Sequence, residues 1–109
     1  MTILTAEQAI DHCRADPVAD ASMVALYLGA AEEAAQDYLG RKVYPTSEAL
    51  ALAADETGMV ANFAFKAAAL LICGHLFLNR EDVATGVTVQ ALPMGAHDLL
   101  RPHRRSFGL

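Results

Sequence analysis

The chain has 109 residues, 54 % of them hydrophobic, and a formal net charge of −5. That length makes a single domain over residues 1–109, able to bury a core. The acidic balance argues against a direct grip on nucleic acid, whose affinity comes largely from neutralised phosphates. The charge is uneven: residues 1–58 carry ten acids and three bases, residues 59–109 three acids and five bases. Alanine is abundant, β-branched residues are few, and there is no Trp beside seven Tyr and Phe. These features predict an all-α fold with close helix contacts and an aliphatic core. Cys13 and Cys73 lie in apolar helical stretches and read as reduced, buried thiols. The opening MTILTAEQ lacks the basic and long apolar regions of a secretory signal, so synthesis in the cytoplasm is expected.

Thr5-Ala6-Glu7-Gln8 matches a capping box with Thr5 as N-cap, and Leu4 can staple against Ala9. The first helix is predicted from about Ala6 to Arg14, ended by Asp16-Pro17. The second starts near Asp20 or Ser22 and runs to Leu39, with Gly40 at the C′ position. Val24, Leu28, Ala31, Ala35 and Leu39 form its apolar stripe, while Glu32, Glu33, Gln36 and Asp37 are expected in water. Arg41 and Lys42 follow its C-terminus, where positive charge suits the helix dipole. Tyr44-Pro45 is a break. Thr46 or Ser47 can cap a short third helix over roughly Glu48–Ala54, and Asp55 to Gly58 make a turn.

The longest apolar run, Met59 to Arg80, organises the rest. It predicts the longest and most buried helix, Met59–Asn79, apolar almost all round. Phe63, Ala67, Leu70, Leu71, Gly74 and Leu78 share one side, and Phe65, Ala69, Ile72, Cys73, Leu76 and Phe77 cover most of the rest. A membrane span is disfavoured, because Lys66 and His75 leave only Ala67–Gly74 free of polar side chains. A central core helix remains, either wholly inside a monomer or also facing neighbouring subunits. So short a chain has few other helices to wrap it. Leu71 is expected inside, so that Leu71→Asp would unfold the domain.

Beyond Arg80, Val87, Val89 and Ala91 recur at spacing two, predicting an extended arm or short strand from Asp82 to Leu92. Such a connector is long for a compact domain and is expected to be mobile or to pack on a neighbour. After Pro93 a short last helix, Met94–Arg101, carries Leu99 and Leu100, of which one should pack on the domain. Pro102 stops it and is expected to turn His103, Arg104 and Arg105 outward, so that deleting residues 102–109 would leave folding intact.

No catalytic constellation can be assembled. Ser22, Ser47 and Ser106 lack a nucleophile-elbow context, and His12, His75, His97 and His103 are scattered. Cys73 and His75 sit at i and i+2, which diverge on a helix, so no metal site is expected. No phosphate-cradling glycine loop is present, so neither an enzyme nor a cofactor is expected.

Four stretches in order carry a resemblance: ILTAEQA near the start, Tyr38 to Arg41 (YLGR), Ala67 to Glu81 (AAALLICGHLFLNRE), and Leu92 to Arg104 (LPMGAHDLLRPHR). Together they resemble the small head–tail connector (adaptor, or head-completion) proteins of tailed bacteriophages and prophages, over nearly the whole chain. The family usually has a tyrosine where Phe77 stands, often an acid at Leu78, and often P-Y-R where this chain has Pro102-His103-Arg104. The elements above make a compact bundle of four main helices plus a short C-terminal one, with an extended arm before the last helix, and the resemblance likewise implies a compact α-helical subunit. It implies a homo-oligomeric ring, typically of twelve subunits, between the portal and the stopper or tail proteins. DNA would pass through its centre without specific binding. The protein would be made in the host cytoplasm and end in the virion. No catalytic residue is carried over. The interaction segments are Asn79-Arg80-Glu81 and Leu99, Leu100, Arg101, Arg104 and Arg105. The alternative is a small α-helical dimer with a regulatory or nucleic-acid-binding role for the C-terminal arginines.

Overall fold

The computed structural model describes residues 2–78 and 94–104. The expected arm from Asp82 to Leu92, the segment Asn79-Arg80-Glu81 and Arg105 lie outside the described residues. The fold is all-α in its main elements, as the composition implies. α1 is Ala6–Cys13, α2 Ala21–Leu39, α3 Ser47–Ala53, α4 Phe63–Leu78 and α5 Met94–Leu100, which runs into a 3-10 turn at Arg101–His103.

Local chemistry sets most of the boundaries. Thr5 Oγ1 accepts from the Gln8 backbone N–H at 3.2 Å, and Gln8 Oε1 accepts from the Thr5 N–H at 3.0 Å. That reciprocal box starts α1. Gly40 ends α2 in the left-handed region, φ 70°, where glycine carries no Cβ penalty. Thr46 caps α3 by accepting from Ala49 N at 3.1 Å.

The start of α4 departs from the sequence reading. Met59–Val60 are not helical but form a strand, β2, parallel to β1 at Val43–Tyr44. Met59 N donates to Lys42 O at 3.0 Å and Ala61 N to Tyr44 O at 2.8 Å. Asn62 then caps α4, its Oδ1 accepting from Phe65 N at 2.8 Å. The described α4 thus has 16 residues and α2 has 19, so α2 and not the Met59–Asn79 stretch is the longest described helix. Periodicity cannot foresee this pairing, because two-residue strands leave no alternation to read.

The core lies where α4 meets α2, α1 and α5. Phe65, Ala68, Ala69, Ile72, Cys73 and Leu76 are the buried face of α4, at i, i+3, i+4, i+7, i+8 and i+11. They meet Val24, Tyr27, Leu28, Ala31, Ala35 and Leu39 of α2, Ala9 of α1, and Ala96 and Leu100 of α5. The other expected face is corrected: Phe63 is 88 % exposed, Leu78 82 % and Leu71 37 %. Both sides of α4 are apolar, so the pattern alone could not choose which one turns inward.

A second correction concerns Glu32, expected in water but only 4 % exposed. Its two carboxylate oxygens accept from the backbone N–H groups of Ile3 and Leu4, each at 2.8 Å. Those donors precede α1 and have no helical partner, so one buried carboxylate satisfies both through charge-assisted bonds. Beside it, Gln36 Oε1 accepts from Val43 N at 3.0 Å, fastening the start of β1 to α2.

Two substitutions test this account. Ile72→Asp places a carboxylate at a position 1 % exposed and should cost several kcal/mol, enough to unfold the domain. Leu71→Asp, on the outer side, should cost no more than about 1–2 kcal/mol. Thermal melts followed by circular dichroism separate the two. Glu32→Ala orphans both N–H groups and should cost about 2–4 kcal/mol in urea unfolding, with Glu32→Gln, which keeps one acceptor, losing less. Equal losses for Gln and Ala would show that the two bonds do not carry the effect.

Candidate functional site

No set of catalytic groups converges among the described residues. An open hollow of roughly 510 Å³ at the C-terminus of α2 is lined by Glu33, Gln36, Asp37, Gly40, Arg41 and Lys42, a mixture of acids and bases. No group of three or more His, Cys, Asp and Glu among the described residues is placed to hold a metal. No helix among the described residues is long and apolar enough to cross a membrane. The two features that remain as candidates are an apolar ridge and the C-terminal turn.

The ridge lies on the outer side of α4. Phe63, Ala67, Leu71 and Leu78 fall at i, i+4, i+8 and i+15, which places them on one face. Leu71 leans toward the start of α5, where its Cδ1 would lie 3.4 Å from a Cβ added at Gly95. Phe63 and Leu78 mark the two ends, with Lys66 Nζ 5.9 Å from the Phe63 ring centroid. A second apolar patch lies on the outer side of α2, where Leu26 is 65 % and Met23 44 % exposed. Since α2 and α4 face each other through their buried stripes, their outer faces look away from one another.

The C-terminal turn differs from its expected outward course. Leu100 is fully buried and Leu99 is half-buried against the core, so the expectation that one leucine holds the turn down is met by Leu100. Arg101 is exposed. Arg104 is exposed too, but it and the half-buried His103 turn back on the domain. Arg104 Nε donates to Tyr38 O at 2.9 Å, and its guanidinium lies 4.8 Å from the Tyr38 ring centroid. The His97 ring stacks on the same tyrosine, with centroids 4.6 Å apart and planes at 13°. His103 Nε2 and Asn62 Nδ2 are 3.4 Å apart, which brings the turn to the cap of α4. The sequence showed three arginines near a proline. It did not show that a tyrosine 66 residues earlier would receive one of them.

The chain matches the model of the family described as "Phage gp6-like head-tail connector protein" over residues 4–104. It belongs to that family, a family of structural connectors in phage particles and not of enzymes. No curated protein and no solved structure matches it significantly. Family membership supports a virion component that associates with other head or tail proteins.

The Tyr38 contacts give a prediction. Arg104→Ala removes a cation–π contact and a charge-assisted hydrogen bond and should cost about 1 kcal/mol. For a domain of this size that lowers Tm by roughly 4–8 °C. Deleting residues 102–109 should cost at least as much. Calorimetry of the two variants checks this, and unchanged melting would mean that the tail adds nothing to the fold.

Proposed function

We propose that this chain is the subunit of a connector ring that docks on the portal, receives the stopper or tail-completion protein, and surrounds the DNA without binding it specifically. The observation that carries the reading is the apolar ridge Phe63–Ala67–Leu71–Leu78, exposed on the helix that also builds the core. Exposed large apolar side chains aligned on one face mark an interaction surface more than scattered ones do.

The ridge takes a second copy of the chain. A ring needs a heterologous contact, in which two different patches meet and the rotation closes. The ridge of α4 and the Met23–Leu26 patch of α2 are two such patches, facing away from each other. Charge supports a head-to-tail arrangement, since the first half of the sequence is strongly acidic and the second half slightly basic. Asn79, Arg80 and Glu81, which follow directly on Leu78, and Arg101 and Arg105 are assigned to contacts with the portal or a neighbouring subunit. Leu99, Leu100 and Arg104 hold the tail in place for those contacts.

Magnitudes set the mode of assembly. Burying a Phe or Leu side chain is worth roughly 1.5–3 kcal/mol, so covering Phe63 and Leu78 supplies roughly 3–6 kcal/mol. Association costs roughly 4–15 kcal/mol in lost freedom. One such contact is therefore weak, and a ring forms through closure or on the portal as a template. Phe63→Glu and Leu78→Glu should leave helicity and Tm nearly unchanged while abolishing assembly on portal-bearing particles, read by sedimentation. Assembly at wild-type levels by both variants would remove the ridge from the interface. Retarded migration of DNA by the purified protein, weakening steeply with salt, would favour the nucleic-acid-binding alternative.

A further inference from the structure

Cys13 at the end of α1 and Cys73 in α4 are 60 residues apart in sequence, yet their sulfurs lie 4.0 Å from each other. A disulfide needs about 2.05 Å, so a closure of about 2 Å converts this contact into a bond. The helices can approach here because of Gly74: a Cβ at that position would stand 3.1 Å from His12 Nε2. Cys13 is half-buried and Cys73 fully buried, so a small oxidant reaches Cys13 first. We infer that Cys13 and Cys73 form a redox site, a dithiol that closes to an intramolecular disulfide and ties α1 covalently to α4.

The oxidant is a peroxide. The Cys13 thiolate attacks one peroxide oxygen and becomes a sulfenic acid, releasing hydroxide. The Cys73 thiolate then attacks the Cys13 sulfur and displaces the second hydroxide. Two thiols and one peroxide thus give one disulfide and two waters, with the thiols oxidised by two electrons and the peroxide reduced by two. Burial pushes the Cys13 thiol above its ordinary range, against a smaller opposing effect of the Cys73 hydrogen bond. Burial chiefly, and then the neighbouring Cys13, push Cys73 up to about 12. Both thiols therefore stay protonated and slow to react near neutral pH, which keeps the pair open in a reducing cytoplasm. On the function proposed above, a subunit released in a particle meets oxidising surroundings and is locked after assembly. That consequence rests on the connector reading, but the bond does not.

The test uses the purified full chain, reduced and then treated with hydrogen peroxide. The expected product is a monomer lighter by two hydrogen atoms, with the tryptic peptides holding Cys13 and Cys73 joined. Closing so long a loop should raise Tm by roughly 10 °C or more. The rate of closure should climb as pH rises from about 7 to about 10, because the thiolate is the nucleophile. Cys13→Ser should keep the Tm of the reduced protein and show neither the mass change nor the peroxide-induced rise in Tm. The inference fails if peroxide gives only sulfinic acids or disulfide-linked dimers, if the bond forms only in urea, or if the linked monomer melts below the reduced one. None of these readouts involves a ring or a portal.

Discussion

The structure depends on one unresolved demand: α4 is apolar on nearly every side, and the other described helices cover only part of it. α1, α2 and α5 cover the stripe from Phe65 to Leu76. The opposite side leaves Phe63 and Leu78 largely in solvent, Phe63 with only the Lys66 ammonium over its ring. A connector that must hold neighbours has a use for that imbalance. On the proposed function, the same helix supplies the core of the subunit and offers a surface to others, so folding and assembly draw on one element.

Small residues let the core close around this helix. Ala31 and Ala35 of α2 and Ala68 and Ala69 of α4 are all fully buried, and alanine loses no side-chain entropy on burial. Larger side chains, Phe65, Leu28, Leu39 and Ile72, fill the remaining volume. Alanine also buries little apolar area, so the ends of the chain need other ties. α2 provides them. Near its middle Glu32 holds Ile3 and Leu4, and near its C-terminus Tyr38 receives Arg104. Both polar ties reach from α2 to segments near the two ends of the described residues.

The short β1–β2 pairing acts on the same helix. It places Met59 and Val60 beside Val43 and Tyr44 and delays the start of α4 until Asn62 can cap it. Gly58 permits the approach: a Cβ there would come within 2.7 Å of the Tyr44 ring. His103 then meets Asn62, so the C-terminal turn abuts the beginning of the helix whose outer face is the candidate interface. The tail lies on the domain at two points, the end of α2 and the start of α4.

The sequence by itself determined the helical class, the capping box at Thr5, the left-handed end of α2 at Gly40 and the position of the short last helix. Each of these follows from local chemistry: side-chain oxygens beside free N–H groups, a residue without Cβ, a proline that stops a helix. The four ordered stretches also carried the family resemblance, which the match over residues 4–104 bears out. What local chemistry could not decide was orientation and long-range pairing. With apolar residues on both sides of α4, the choice of buried face fell to the shapes of α2 and α5. Glu32 looked like any wet glutamate, because its two donors lie 28 and 29 residues away. Arg104 looked like part of a solvated cluster until Tyr38 was brought beneath it, and Cys13 and Cys73 were two separate thiols until α1 crossed α4. In each case the deciding partner is distant in sequence, and only the tertiary arrangement brings the two groups within a few ångströms.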